Sequence, residues 1–153
     1  MPEKTLYQLD RVAIRMVKER PLISETPLDC PEMVVKLAHT LLKDFDREVF
    51  IVVNLQSNLK PINCNVISIG SLNATVVHPR EVLKSVVLSN AAAVLLIHNH
   101  PSGKLHPSNE DEEVTARINN LLKMMEIQLL DHIILGPEGN YYSFSDHCEK
   151  SLN

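Results

Sequence analysis

Residues 91–97, Ala-Ala-Ala-Val-Leu-Leu-Ile, are seven consecutive apolar side chains. A strand with one wet face alternates apolar and polar residues, so an unbroken run of this kind reads as a strand buried on both faces. The run therefore points to a layered arrangement in which a sheet is packed under helices. It stops at His98-Asn99-His100-Pro101. Side chains alternate along a strand, so His98 and His100 point to the same side where the strand emerges. Two imidazoles converging there are half of a metal site.

The rest of the chain supplies the layers. Loose alternation over 9–18, with Val12, Ile14 and Met16 on one face, predicts a first strand at a sheet edge. A polar connection over 21–31 contains three prolines, and Pro31 suits a first helical turn. Val34, Leu37, Ala38, Leu41 and Leu42 then recur at three- and four-residue spacing, which predicts an amphipathic helix to about Lys43. Strands are predicted over 48–56 and 62–69, joined by a hairpin turn at 57–60. After a connection at 70–73, His78-Pro79 precedes a helix over 80–88. The buried strand spans 91–100, and a loop at 101–107 leads to a helix over 109–126. Its inner face is Val114, Ile118, Leu121, Leu122 and Met125. A strand over 127–135, a turn at 136–140 and a short strand over 141–144 close the order β-α-β-β-α-β-α-β-β. This is an α/β chain with a mixed β-sheet flanked by helices.

At 153 residues the chain suits one domain with a single core. Apolar residues at 44% and charged residues at 22% exclude disordered and fibrous classes. With no Trp, the core must be built from Val, Ile, Leu and Ala. A net charge of −4 provides no general attraction to nucleic acid, so direct binding to it is not expected. Cys30, Cys64 and Cys148 are odd in number and show no paired spacing, which predicts reduced thiols. The N-terminus lacks a cationic stretch leading into an apolar one, and no apolar run approaches the ~20 residues of a membrane span. A cytoplasmic protein without signal peptide or membrane contact is expected.

A catalytic zinc site uses His nitrogens and carboxylate oxygens, with three protein ligands and one position left for water. Asp111, one loop and one helical turn beyond His100, completes a His98–His100–Asp111 set. Ser108 stands three residues before Asp111, and Ser-x-x-Asp after a proline is also a common helix start, a capping box. Among the other polar residues, Asn99 points away from the two histidines and reads as structural. His106 reads as exposed, His132 as a satisfied histidine at a sheet boundary, and Glu110, Glu112 and Glu113 as a solvated acidic first turn.

The string His98-Asn-His100-Pro101 followed by Ser108 and Asp111 resembles the H-x-H-P-x6-S-x2-D motif of the JAMM (MPN/JAB) metallopeptidases. With His-Asn-His-Pro-Ser-Gly over 98–103, Pro-Arg-Glu-Val over 79–82 and Leu-Asp-His-Ile over 130–133, the chain is similar to the bacterial RadC family. The likeness runs from about residue 7 to 146. It implies a single MPN/JAB domain, of cytidine-deaminase-like fold, over 7–146. It also implies a bound Zn2+ and a glutamate at the start of an earlier strand, which Glu48 matches. Glu81, on the helix ahead of the histidine strand, reads as a surface residue. Compared with longer RadC-like proteins, the N-terminal helix-hairpin-helix module is expected to be absent, and with it any DNA binding it would provide.

The resemblance implies zinc-dependent hydrolysis of a peptide or protein substrate. Glu48 serves as general base and Ser108 as donor to the developing oxyanion. Two rival classes are a DNA-repair-associated protein, from the historical label of the RadC family, and a metal-binding interaction module without turnover. A zinc nucleoside deaminase is excluded, because no H-x-E followed by P-C-x-x-C occurs.

Overall fold

The computed structural model describes residues 28, 30–42, 45–70 and 76–147, with 13, 16 and 17 as isolated positions. In chain order the elements are α1 (Pro31–Leu42), β1 (Val49–Leu55), β2 (Pro61–Ile69), α2 (Pro79–Leu88) and β3 (Ala93–Asn99), followed by α3 (Asn109–Met124), β4 (Gln128–Leu135), β5 (Tyr141–Ser143) and α4 (Phe144–His147). The five strands form one sheet in the order β2-β1-β3-β4-β5. β1 runs antiparallel to β2 and β3, β3 is parallel to β4, and β4 is antiparallel to β5. The mixed sheet and its helices are the α/β architecture that the apolar run requires.

Every residue of β1 and β3 is buried, and alternation sends their side chains to two separate cores. Val49, Ile51, Val53, Leu95 and Ile97 pack with Val34, Ala38 and Leu42 of α1. Phe50, Val52, Val94 and Leu96 pack with Val82 and Val86 of α2 and Ile118 and Leu122 of α3. Burying each such side chain contributes roughly 1.5–3 kcal/mol, which is why both strands sit at the centre. His98 continues the Val94–Leu96 side, so it emerges on the face covered by α2 and α3.

Register fixes what stands opposite it. Phe50 pairs with His98 across β1 and β3. Carried two residues further, antiparallel pairing sets Glu48 opposite His100, with both on the α2–α3 side. Asn99 points the other way, as expected, and stitches this end of the sheet. Its Oδ1 accepts from the Val49 N–H at 2.8 Å, and its Nδ2 donates to the Arg47 carbonyl at 3.0 Å. One buried side chain thus holds the residues on either side of Glu48.

β4 contains an irregularity. Val94 pairs with Leu129 but Leu95 pairs with Asp131, so Leu130 is skipped. The extra residue inverts the facing of everything beyond it. Leu129 lies in the α2–α3 core, whereas Ile133 and Leu135 lie in the α1 core. His132 consequently shares the His98 side of the sheet.

The structure departs from expectation at several edges. The strand predicted over 9–18 lies outside the described residues apart from positions 13, 16 and 17, which are not in a strand. Much of the 21–31 connection, the 71–73 part of the next one and Cys148 also lie outside them; Cys30 and Cys64 are free thiols. Phe144 was expected to end a strand but starts α4, where Asp131 accepts from the Ser145 N–H at 2.9 Å and the Ser143 hydroxyl at 2.6 Å. Among the described residues no helix is long and apolar enough to cross a membrane.

Replacing Asn99 with Ala removes two hydrogen bonds and leaves the buried Val49 N–H unpaired, at about 1–3 kcal/mol, with a smaller loss at the part-buried Arg47 carbonyl. Asn99→Ala is expected to lower stability by roughly 2–4 kcal/mol. In native-state hydrogen exchange the Val49 amide should lose more protection than the amides of Ile51 and Val53.

Candidate metal centre

His98 is the penultimate residue of β3, and His100 follows directly after the strand's last residue, Asn99. The turn that begins at Pro101 folds the chain back under the second ring. Gly103, at φ +81°, donates its N–H to the His100 carbonyl at 3.0 Å, a left-handed conformation that favours glycine. The Lys104 carbonyl is thereby brought to the His100 ring, 2.5 Å from Nδ1. A carbonyl only accepts, so His100 carries its proton on Nδ1 and turns Nε2 inward. The two Nε2 atoms of His98 and His100 lie 2.9 Å apart.

Asp111 arrives from the first turn of α3. Ser108 is the N-cap: its hydroxyl oxygen accepts from the Asp111 N–H at 3.1 Å. In return the Ser108 N–H and hydroxyl each donate to Asp111 Oδ2 at 2.8 Å. The capping box is therefore present and also aims the carboxylate. Oδ2 is loaded by Ser108, while Oδ1 lies 3.3 Å from His98 Nε2; Oδ2 is 3.6 Å from His100 Nε2.

The three residues thus form one group, with all ligand atoms within 4.8 Å of one another. The ring nitrogens lie 2.9 Å apart, and each approaches a different Asp111 oxygen, at 3.3 and 3.6 Å, spacings close to the ~3.3 Å between neighbouring ligands on ~2.0 Å bonds to zinc. The donor set also has suitable protonation states. Burial, which outweighs the nearby Asp111 carboxylate, pulls His98 down to about 4. Its ring is neutral at pH 7, so its contact with Asp111 is not an ion pair. Burial works against ionisation of Asp111, but His100, His98 and Ser108 together hold its carboxyl well below the usual range. For His100, burial is outweighed by Asp111, the Lys104 carbonyl and the charge of Glu48, and its pKa rises. A carboxylate and two inward-facing ring nitrogens fit a divalent cation, and this group could hold one.

Glu48, half-buried just before β1, lines a cavity together with Phe50, Val77, His98, Asp111 and Arg117. Its charge is felt at His100, as the register implies. The surface acids that compete with it in sequence are placed elsewhere. Arg47 pairs with Asp46 at 2.9 Å, and Glu81 pairs with Lys84 on α2. His106 is exposed, in keeping with its reading.

His132 is not at a boundary. It is fully buried at 0% exposure, with Nε2 2.7 Å from His98 Nδ1 and Nδ1 2.6 Å from Thr115 Oγ1. Its ring stacks on Phe144, with centroids 4.7 Å apart, and meets Phe50 edge-on at 5.4 Å. Alternation counted from Leu129 would turn His132 to the opposite side; the skipped Leu130 reverses that. Thr115 was also missed, since a threonine within a helix carries no sequence signal of its own.

A mixed sheet with a His-x-His strand end, answered by a helix-borne aspartate, defines a JAB-type α/β domain. The chain belongs to the RadC-like JAB domain family, whose model matches residues 28–150. It is similar to a UPF0758 protein of Rubrobacter xylanophilus, 41% identical over 137 residues, covering 90% of this chain and 57% of that protein. A UPF0758 protein of Syntrophomonas wolfei is 41% identical over 140 residues, 92% of this chain and 59% of that one. One from Methanosarcina acetivorans is 43% identical over 116 residues, 76% and 50% respectively. The chain spans between half and three fifths of the length of these curated relatives.

The donor set predicts one divalent ion per chain, lost in His98→Gln, His100→Gln and Asp111→Ala, as measured by metal analysis after dialysis. Metal binding requires His100 without its second proton. Because its pKa is raised, affinity should fall as pH drops below neutral, by roughly tenfold per unit. Calorimetric titration at several pH values checks this.

Proposed function

We propose that this domain is a zinc-dependent hydrolase of peptide or isopeptide bonds in a protein substrate. Its catalytic residues are Glu48 and Ser108, and its metal ligands are His98, His100 and Asp111. The observation that carries this reading is that Glu48 lines one cavity with His98 and Asp111, two members of the three-ligand group that His100 completes. Bound zinc supplies Lewis acidity, lowering the pKa of water toward 7 and polarising a carbonyl oxygen.

The protein's own residues supply the proton transfers and the orientation. Glu48 takes a proton from the attacking water and returns it to the nitrogen of the departing amine, so it is base in one step and acid in the next. The Ser108 hydroxyl has one proton, directed to Asp111 Oδ2 in the structure, while its oxygen is anchored by the Asp111 N–H. Rotation about this anchor turns the same proton toward the oxygen of a substrate carbonyl as negative charge develops there. The Ser108 N–H meanwhile keeps Asp111 in place.

The charge of the cavity counts against a nucleic-acid substrate. Glu48, Glu110, Asp111 and Glu113 line it against Arg117, a lining that repels phosphate. Cytoplasmic location and action without a membrane or nucleic-acid partner belong to the same proposal.

Glu48→Gln keeps shape but loses the exchangeable carboxylate. It should retain zinc and lose about 10²–10⁴-fold in hydrolysis of fluorogenic peptide and isopeptide substrates. Equal activity in Glu48→Gln and the unaltered chain would remove Glu48 from the reaction. Ser108→Ala should lose about 10²–10³-fold in kcat, together with about 1 kcal/mol of stability from the missing cap. Gel shifts with duplex DNA at physiological salt should show no complex; a salt-dependent complex there would favour the nucleic-acid class.

A further inference from the structure

We infer that Thr115 and His132 are positioning residues that hold His98 as its Nδ1–H tautomer, leaving Nε2 bare for a metal ion before any metal arrives. The inference rests on the metal reading of this site and adds two residues that touch neither the ion nor the substrate.

It follows from counting protons along a buried chain of contacts. Thr115 Oγ1 lies 2.5 Å from the Asp111 carbonyl oxygen. Two oxygens that close repel unless a proton lies between them, and only the Thr115 hydroxyl can supply it. That hydroxyl has a single proton. Toward His132 Nδ1, at 2.6 Å, Thr115 therefore presents a lone pair, and His132 Nδ1 must be the donor. Enclosed between Phe50 and Phe144, and with only Thr115 and His98 as ring partners among the described residues, His132 holds its one proton on Nδ1 and its Nε2 is bare. Across 2.7 Å that bare nitrogen accepts from His98 Nδ1. His98 has then placed its one proton on the inner side of the ring, and Nε2 faces His100 and Asp111 with a free lone pair.

The opposite order would run the protons the other way. Thr115 would donate to His132, His132 to His98, and His98 Nε2–H would block the ligand position. That order leaves the Thr115 and Asp111 oxygens in unrelieved contact at 2.5 Å. The contact the favoured order leaves, between the two bare Nε2 atoms, is longer at 2.9 Å and is the one a metal ion relieves. A threonine bonded to the carbonyl four residues back is common in helices and is by itself local. Here the same hydroxyl also meets His132, so the local bond sets the direction of the whole relay. The relay starts at the carbonyl of one metal ligand, Asp111, and ends on the ring of another, His98. Outer partners of this kind orient ligating imidazoles, and their loss weakens metal binding about 10- to 100-fold.

The first test uses metal-free protein labelled with 15N-histidine. Two-bond 1H–15N correlation should show His132 protonated on Nδ1 and bare on Nε2; the reverse pattern overturns the inference. The second compares zinc dissociation constants by chelator competition. Thr115→Val, close to threonine in volume, should weaken zinc binding about 10- to 100-fold, and Thr115→Ser, which keeps the hydroxyl, should restore it. His132→Leu should lose affinity similarly, while His132→Gln, whose Oε1 can accept from His98, should recover most of it. Wild-type affinity in a folded Thr115→Val protein, or equal loss in Thr115→Val and Thr115→Ser, overturns the relay. The tautomer spectrum of the unaltered chain decides the matter even where a buried variant fails to fold. The relay and the hydrolase reading fail separately: zinc bound through the relay without turnover sinks only the latter, and the wrong tautomer sinks only the former.

Discussion

The antiparallel pairing of β1 with β3 is the constraint on which the rest depends. It places Phe50 opposite His98, so Phe50 stacks beside that ring with centroids 5.8 Å apart. The same pairing carries Glu48 to the His100 end of the site. A shift of one residue would turn Glu48 to the α1 face and leave the histidines without a nearby carboxylate from β1. Two features guard against such a slip. The alternate residues of each strand are committed to separate cores, and Asn99 locks the strand ends through Val49 and Arg47. Packing two cores thus becomes accuracy at the sheet end, where the His98–His100–Asp111 group lies.

The second half of the site depends on a helix start. The groups that cap α3 are those that aim Asp111, because Ser108 accepts from the Asp111 N–H of the first turn and donates to the Oδ2 atom of the same carboxylate. The capping reading and the metal reading of Ser-x-x-Asp are consequently not rivals. One arrangement makes the cap and leaves the carboxylate where a metal could be held, and the strand half and helix half are further tied by Thr115 and His132.

Much of this was legible in the residues. The run over 91–97 called for a doubly buried strand, and the apolar spacing of α1, α2 and α3 called for the helices that cover it. His98, His100 and Asp111 could be grouped from strand alternation and one loop length, and Asn99 could be set aside by the same alternation. Glu48 was reachable only through family resemblance, because its approach to His100 is a fact of register between strands some 50 positions apart. His132 escaped for a different reason. Leu130 is skipped in the β3–β4 pairing, and a bulge reverses facing without any mark in the local pattern. Phe144 was misassigned because Asp131 caps the short α4 from a distant position in the chain.

The central claim is that the ends of β1, β3 and α3 form a zinc centre with Glu48 poised beside it. A crystal structure of the zinc-loaded chain, with anomalous data collected on both sides of the zinc edge, tests it most directly. The account predicts one zinc peak bonded to His98 Nε2, His100 Nε2 and an Asp111 carboxylate oxygen at about 2.0–2.2 Å, with the Glu48 carboxylate turned toward the remaining position. A zinc peak held by other residues, or Glu48 directed away from a correctly bound ion, would contradict it.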